Sequence, residues 1–464
     1  MFDIDETIDA FRRGSLDIDC KSMVLAQRKA GGEQFEGQGY IRQAEDGTLI
    51  FKIYVTKHNA EVSGHFQAMV NGSAGQLYPD EAFYDLEAIG CDGTRWTAMR
   101  ILPYSHWDVS DMSVLMHGKA PSIISYLGTH KFRHYLRLHF FEEYEVPLLL
   151  RSETEEHGNR VSVLDRAEFE AGGAKFEVRR RDGSGSTIVE VTSETPLPAA
   201  FDLRIQEALQ YVTAKSAFWR ARLHGHGNEL HLELSSPRRK SAYTKFSPPI
   251  SPASIHYREC FWGLFREYLK FVTQSTNGLH WNPVAYHLHN ACEATANSVD
   301  AWAVGISVAV EAIAGLIEIS SAADKAKEVA VYQCRALAWL AEQKDLSSEI
   351  AERAKGQINA MSNKRPQDTL YALADAGQVE KKYVKAWTDL RNRQVHPNLQ
   401  DLGKPTAVAT QKLLHHIHKV EVLLKQLTFH LIGYAGFFTD YGTPNLATKR
   451  YPLAVEASPA QANS

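Results

Sequence analysis

The stretch Asp389-Leu390-Arg391-Asn392-Arg393-Gln394-Val395-His396-Pro397 decides how the second half of the chain is interpreted. It closes a helical pattern that begins near Gln378 and places four apolar residues on one face: Val379, Tyr383, Trp387 and Leu390. Pro397 cannot continue a helix and disfavours helical geometry at the residue before it, so we predict a helix that ends at His396. An arginine and a histidine at such an end combine a permanently charged planar donor with a group that titrates near neutrality. That combination suits chemistry on a phosphodiester.

The motif Arg391-Asn392-x-x-x-His396 resembles the Arg-Asn-x-x-x-His signature of the HEPN superfamily. This superfamily consists of small helical bundles and includes many metal-independent ribonucleases of defence and toxin–antitoxin systems. Looser Arg-to-His pairs occur elsewhere in the chain, at Arg133/His139, Arg151/His157 and Arg220/His226. The asparagine, the following proline and the all-helical context set Arg391 apart from them. The alternative interpretation is an arginine on a solvated helix face and a histidine that caps a helix C-terminus.

The resemblance covers the region from roughly Asp300 to Tyr434 and implies a homodimer, in which the motif helices of two protomers form one cleft. It implies that His396 is the general base and that Arg391 stabilises the phosphate. Asn392 would orient the imidazole or hydrogen-bond the phosphate. RNA carries its own nucleophile, the 2′-hydroxyl, so RNA is the expected partner and no metal or other cofactor is expected.

Glu311 is an unusual residue in an otherwise apolar helix predicted over 299–319, where Val308, Val310 and Ile313 surround it in sequence. A buried carboxylate must find a partner or lose its charge, and Arg391 is a suitable partner. A position of Glu311 on the helix surface explains the sequence equally well, because carboxylates are usually exposed.

The composition is that of a soluble globular protein, with 464 residues, 44% hydrophobic and 23% charged, and a net charge of −4. The negative charge argues against binding nucleic acid over the whole surface, so an RNA site requires a local basic patch. Five cysteines lack paired spacing, and the acidic N-terminus lacks the layout of a signal peptide. Because no apolar run is as long as a membrane span, we predict a cytoplasmic protein.

The predicted fold class is α+β, with a β-rich N-terminal region of sandwich or barrel type followed by an all-α HEPN-like bundle. Asp-Gly pairs between extended runs predict three hairpin turns, at Asp46-Gly47, Asp92-Gly93 and Asp182-Gly183. The predicted boundaries are 1–250 for the β-rich region, 251–297 for connecting helices, 298–440 for the bundle and 441–464 for a C-terminal tail.

Three segments carry more specific expectations. Helical spacing over 201–221 predicts a helix that packs on the sheet. A segment rich in proline and serine over 235–252 predicts a linker between the two halves. Residues 406–437 are expected to form the last long helix, and residues 458–464 a disordered tail.

The front half, from Gly39-Tyr40 through Gly47-Thr48-Leu49, is loosely similar to the amino-terminal domain of Apea-type abortive-infection proteins. That similarity implies a region that senses or positions something, with a phage-derived trigger as one partner. Together the two resemblances imply an endoribonuclease of anti-phage abortive infection. The competing hypothesis is a HEPN-like bundle without catalysis, which dimerises or binds a ligand for the front domain.

Other charged clusters allow further sites. One further cluster is His415-His416-Ile417-His418. These histidines could bind a metal together with Glu421. In the preferred interpretation they line an RNA cleft or pack against Trp387. His224-Gly225-His226 suits a turn better than a metal site. The run Lys131 to His139 interleaves cations with aromatics, which fits either a nucleic-acid contact or a strand with one charged, solvated face.

Overall fold

The computed structural model describes residues 3–60, 77–108, 110, 113–129, 134–156, 159–181, 185–226, 229–237, 245–274, 280–318, 322–361, 365–395 and 407–453. The chain divides into two compact units. The first comprises Met1–Asp202 and Ala217–Lys240, and the second comprises Leu203–Ser216 and Ser241–Ser464. A large antiparallel sheet in the first unit and a helical second unit confirm the α+β fold class.

The first unit begins with helix α1 (Ile4–Arg12) and contains strands β1 to β15. The first eight strands are β1 (Asp17–Gln27), β2 (Gln34–Gln43), β3 (Leu49–His58), β4 (Tyr84–Gly90), β5 (Arg95–Ile101), β6 (Tyr104–Asp108), β7 (Ser113–Ala120) and β8 (Ser122–Thr129). The remaining strands are β9 (His134–Phe140), β10 (Leu150–Glu156), β11 (Asn159–Ala171), β12 (Ala174–Arg181), β13 (Ser186–Ser193), β14 (Ala221–His226) and β15 (Glu229–Ser235).

These strands form one continuous antiparallel sheet in the order β10-β11-β12-β13-β9-β14-β15-β8-β5-β4-β1-β2-β3-β7-β6. Two predicted hairpin turns are confirmed, because Gly47 and Gly93 have φ values of 80° and 90° and connect paired strands. In each turn the preceding aspartate accepts a backbone hydrogen bond of 2.9 Å, from Thr48 or Thr94. Asp182-Gly183 lies outside the described residues, between the paired strands β12 and β13.

The second unit consists mainly of helices after the short helix α2 (Phe201–Thr213). They are α3 (Tyr257–Gln274), α4 (Pro283–Ala294), α5 (Val299–Leu316), α6 (Ala322–Glu342), α7 (Ser348–Ala360), α8 (Pro366–Asp375), α9 (Lys381–Val395) and α10 (Ala407–Ile432). A hairpin of strands β16 (Gly436–Asp440) and β17 (Ala447–Tyr451) completes the unit.

Helix α5 occupies the centre of this unit and packs against α4, α8, α9 and α10. Its buried side chains lie within an arc of about 160° around the helix: Trp302, Ala303, Ile306, Ser307, Ala309, Val310, Ile313 and Ala314. By length and composition alone α5 could also span a membrane. A core helix of a bundle meets the same criterion, and the packing of α5 is that of a core helix.

Helix α2 differs from the expectation, because residues 203–216 belong to the second unit rather than to the sheet. Arg204 donates a hydrogen bond to the carbonyl of His280, and the Glu207 carboxylate accepts one of 3.1 Å from the backbone N–H of Asn282. Tyr211 stacks on Tyr268 of α3 with ring centroids 4.3 Å apart. Helical periodicity shows that a face must be buried, but it does not specify the surface that buries it.

The segment predicted to be a linker also differs from the prediction, because part of it is hydrogen-bonded to residues of the second unit. The Ser247 backbone N–H donates to the Glu421 carboxylate at 2.7 Å, and the Pro249 carbonyl accepts from Thr439 at 3.0 Å. Ile250 is buried. The Pro249 carbonyl and the Ser247 N–H group therefore have hydrogen-bond partners in the protein.

The predicted tail over 441–464 and the helix predicted to continue to Phe437 are corrected by the structure. Gly433, with a φ of 66°, ends α10 after Ile432, as left-handed glycines at helix C-termini do. The β16–β17 hairpin follows and buries Phe438 and Tyr451. Residues 458–464 lie outside the described residues.

Candidate active site

Helix α9 presents its apolar face to the bundle, which fixes the orientation of the motif. Tyr383, Trp387 and Leu390 are each buried. The Trp387 indole N–H donates a hydrogen bond of 3.2 Å to the Ser307 carbonyl of α5, a buried contact that sets the rotation of α9 against α5. The motif arginine lies one turn further along α9, at the end of this contact.

Arg391 and Glu311 form a two-point ion pair between α9 and α5. The Arg391 Nε donates to Glu311 Oε2 at 2.9 Å, and Nη2 donates to Oε1 at 3.4 Å. The two side chains are 40% and 38% exposed, so the pair lies at the surface of the bundle. The pairing is therefore present, and of the two positions considered for Glu311 the structure shows the one at the helix surface.

The ion pair orients the guanidinium but uses only some of its N–H donors. A guanidinium has five N–H donors, and the contacts with Glu311 use two of them. The Arg391 Cζ also lies 5.9 Å from the Trp387 ring centroid, which limits the rotation of the side chain. An arginine that is held in this way and is still partly exposed can accept an anionic ligand at its remaining donors.

The solvent side of α9 is basic, although the whole chain is acidic. The helix has five cations and one carboxylate: Lys381, Lys382, Lys385, Arg391 and Arg393 against Asp389. All of these except Arg391, which is half-buried, are exposed. Asn392, the second residue of the motif, is exposed as well. The exposed side of this helix therefore carries an excess of positive charge, although Lys381 and Lys382 are paired with Asp375 and Glu380.

The third motif residue, His396, lies outside the described residues. The last residue of α9 is Val395, so the helix reaches the position directly before the histidine.

Beside the ion pair, α5 exposes a stripe of apolar side chains that the sequence did not reveal. Val304 is 45% exposed and Val308 is 55% exposed, and both share a helix face with Glu311 through spacings of four and three residues. An apolar helix pattern predicts burial on most faces, so only the packing arrangement could identify these valines as surface residues.

Two histidines of α10 have identified neighbours in the bundle. Asp389 acts electrostatically on His416 and lies two residues from Arg391, which places the two side chains about 200° apart around α9. Burial lowers the pKa of His416, with a smaller contribution from Lys419. His418 contacts the ring of Trp302, at a centroid distance of 5.6 Å, rather than the expected Trp387.

Glu421 is unavailable for a metal, in contrast to the alternative that grouped it with these histidines. Its carboxylate pairs with the Lys425 ammonium at 2.9 Å, and both side chains are almost completely buried. It also accepts the Ser247 N–H. Across the described ranges, no group of three or more histidine, cysteine, aspartate or glutamate residues could hold a metal ion.

The charged clusters of the first unit have structural roles. His224-Gly225-His226 lies within β14 rather than in a turn, and His224 is opposite His231 on β15. In the run from Lys131 to His139, residues 131–133 lie outside the described residues. Arg137 of that run is mostly buried and pairs with Glu190 at 3.0 Å. Glu190 also accepts from Arg179 at 3.3 Å, so these cations serve the sheet.

Comparisons with known proteins find no matching family model, no matching curated protein and no matching solved structure.

Proposed function

We propose that the second unit is a metal-independent endoribonuclease of the HEPN type. The observation that carries this proposal is the oriented, partly exposed Arg391, which is held by Glu311 on a basic helix ending one residue before His396. A planar cation with free donors is suited to stabilise a phosphate that gains negative charge. An RNA cleavage assay on the purified protein, with end-group analysis of the products, tests the proposal.

In the proposed reaction, His396 takes the proton of the RNA 2′-hydroxyl, and the 2′-oxygen attacks the adjacent phosphorus. The bond from phosphorus to the 5′-oxygen breaks, and the leaving oxygen takes up a proton. The products are a 2′,3′-cyclic phosphate and a 5′-hydroxyl. Arg391 stabilises the negative charge on the non-bridging oxygens of the pentacoordinate phosphate, and Asn392 orients the imidazole or the phosphate.

The second candidate is a non-catalytic HEPN-like module that dimerises or binds a ligand for the first unit. The Arg391–Glu311 pair favours it in one respect, because a contact between α5 and α9 explains both residues without any chemistry. The two candidates differ in the activity of variants at Arg391 and His396.

The biological role that we propose is anti-phage abortive infection in the cytoplasm, with the first unit responding to a phage-derived trigger. Cleavage of host or phage RNA would then halt phage propagation. Phage plating on cells with the wild-type protein and with the His396→Ala variant tests this role. Equal plating on both would contradict it.

EDTA should leave the RNase activity of the purified protein unchanged, because the proposed mechanism uses the substrate's own hydroxyl and two side chains. The measurement is the initial rate of cleavage before and after chelation. Loss of activity that an added divalent cation restores would refute the metal-independent mechanism.

The protein should be a homodimer through the α5 face that carries Val304, Val308 and Glu311. Light scattering on the full chain should give twice the monomer mass of 52.0 kDa. Val308→Glu should give monomer, because a charge replaces apolar contact area. The matched control is Val331→Glu on α6, a valine of similar exposure at 51%, which should stay dimeric. A monomeric wild type would contradict the composite cleft.

A further inference from the structure

A small cavity lies inside the second unit, enclosed by helices α2, α3 and α4. Its polar lining residues are Glu207, Gln210, Tyr211, Tyr268, His289 and Cys292. The centre of a water molecule can occupy a volume of about 20 Å³ inside it. A polar cavity needs roughly 10–15 Å³ by this measure to hold one water.

One wall of the cavity is charged. Arg204 and Glu207 form an ion pair of 3.0 Å in which both side chains are almost completely buried. Burial raises the pKa of the Glu207 carboxyl to about 7, although Arg204 acts in the opposite direction. The pair joins the α2 backbone to residues 280–282 before α4 through its bonds to His280 and Asn282.

Two further polar atoms at the cavity have unused hydrogen-bonding capacity. The Tyr268 hydroxyl and the Gln210 side-chain carbonyl are buried and find no hydrogen-bond partner within the described part of the chain. Tyr268 is 0% exposed, and the Gln210 amide nitrogen is already engaged with His289. A buried polar group without a hydrogen-bond partner is unfavourable, which favours an occupant that hydrogen-bonds to both atoms.

We infer that the cavity binds one ordered water molecule, hydrogen-bonded to the Tyr268 hydroxyl and the Gln210 carbonyl beside the Glu207 carboxylate. A water molecule can donate to Gln210 and Glu207 while it accepts from Tyr268, which matches the three groups. A monovalent cation of similar size fits the acceptors but not the adjacent Arg204 guanidinium, whose charge repels it. Through this water α2 would be bonded to α3 as well as to α4.

Crystals of the full-length wild type and of Tyr268→Phe test the inference. Phenylalanine keeps the ring stack on Tyr211 but removes the hydroxyl. The wild type should show one density peak at hydrogen-bond distance from the Tyr268 and Gln210 oxygens, and Tyr268→Phe should lose it. The matched control is Tyr434→Phe, whose buried hydroxyl bonds the Phe437 carbonyl at 2.8 Å, and it should keep the peak. If Tyr268→Phe does not fold, Gln210→Met removes the other contact.

Three results would overturn the inference. The first is an empty cavity in wild-type crystals that show ordered water elsewhere in the helices. The second is a peak that persists at the same distances in the Tyr268→Phe crystals. The third is an anomalous signal at this position after a rubidium soak, since it would identify the occupant as a cation.

Discussion

The His396→Ala variant should cleave RNA more slowly than wild type by a factor of about 10² to 10⁴, the usual effect of losing a general base. It should fold and dimerise normally. Because the sequence predicts a partly exposed side chain directly before Pro397, its loss should cost about 1 kcal/mol or less of unfolding free energy. Single-turnover cleavage rates, thermal unfolding and light scattering measure the three quantities.

A control histidine separates catalysis from a general effect of removing an imidazole. His287→Ala on α4 removes a half-buried histidine from the same unit and should retain the wild-type rate. Equal cleavage by wild type and His396→Ala would refute the assignment of the base. An unfolded His396→Ala variant would instead identify the histidine as a structural cap.

Arg391→Ala should lower the cleavage rate by about 10²- to 10³-fold, comparable with the removal of one donor to a transition-state oxyanion. Arg391→Lys should recover only part of the rate, because an ammonium lacks the planar fork that contacts Glu311 and phosphate together. The effect should fall on kcat more than on KM, since negative charge on the phosphate oxygens grows in the transition state. Steady-state kinetics on a defined RNA measures both constants.

Glu311→Gln provides the comparison that separates positioning from structure. It keeps the size of the side chain and one acceptor oxygen, so it should be less damaging than Arg391→Ala. If the pair only joins α5 to α9, Arg391→Ala and Glu311→Ala should lower stability by similar small amounts. A partly exposed ion pair contributes about 1 kcal/mol or less. Wild-type activity in Arg391→Ala would support the non-catalytic module.

Local sequence signals predicted the secondary structure well where they are strong. The turns at Gly47 and Gly93 followed from Asp-Gly pairs, and Pro283 and Pro366 each begin a helix, a position that favours proline. The order of the sheet could not be predicted, because β9 pairs with β13 and β14, which are distant in the chain. Such pairings depend on the long-range burial of faces, which local patterns do not encode.

The candidate site could be predicted only in part from the sequence. Glu311 attracted notice as a carboxylate in an apolar helix, and Arg391 as its partner, although 80 residues separate them. The bond from Trp387 to the Ser307 carbonyl involves a backbone acceptor, which no sequence pattern identifies. The sequence did not identify the exposed face of α5, because apolar periodicity does not distinguish a stripe that is buried in the bundle from one that is exposed.

The placement of α2 limits how the two units could be recombined with other domains during evolution. Its chain enters the helical unit at Leu203, returns to the β unit at Ala217 and leaves it again at Ser241. A recombination event at residue 241 would therefore transfer a helical unit without α2, and Tyr268 and Asn282 would lose their partners. A new front domain could be acquired only with a helix that fits this position. We therefore expect the two units to be inherited together rather than shuffled as independent modules.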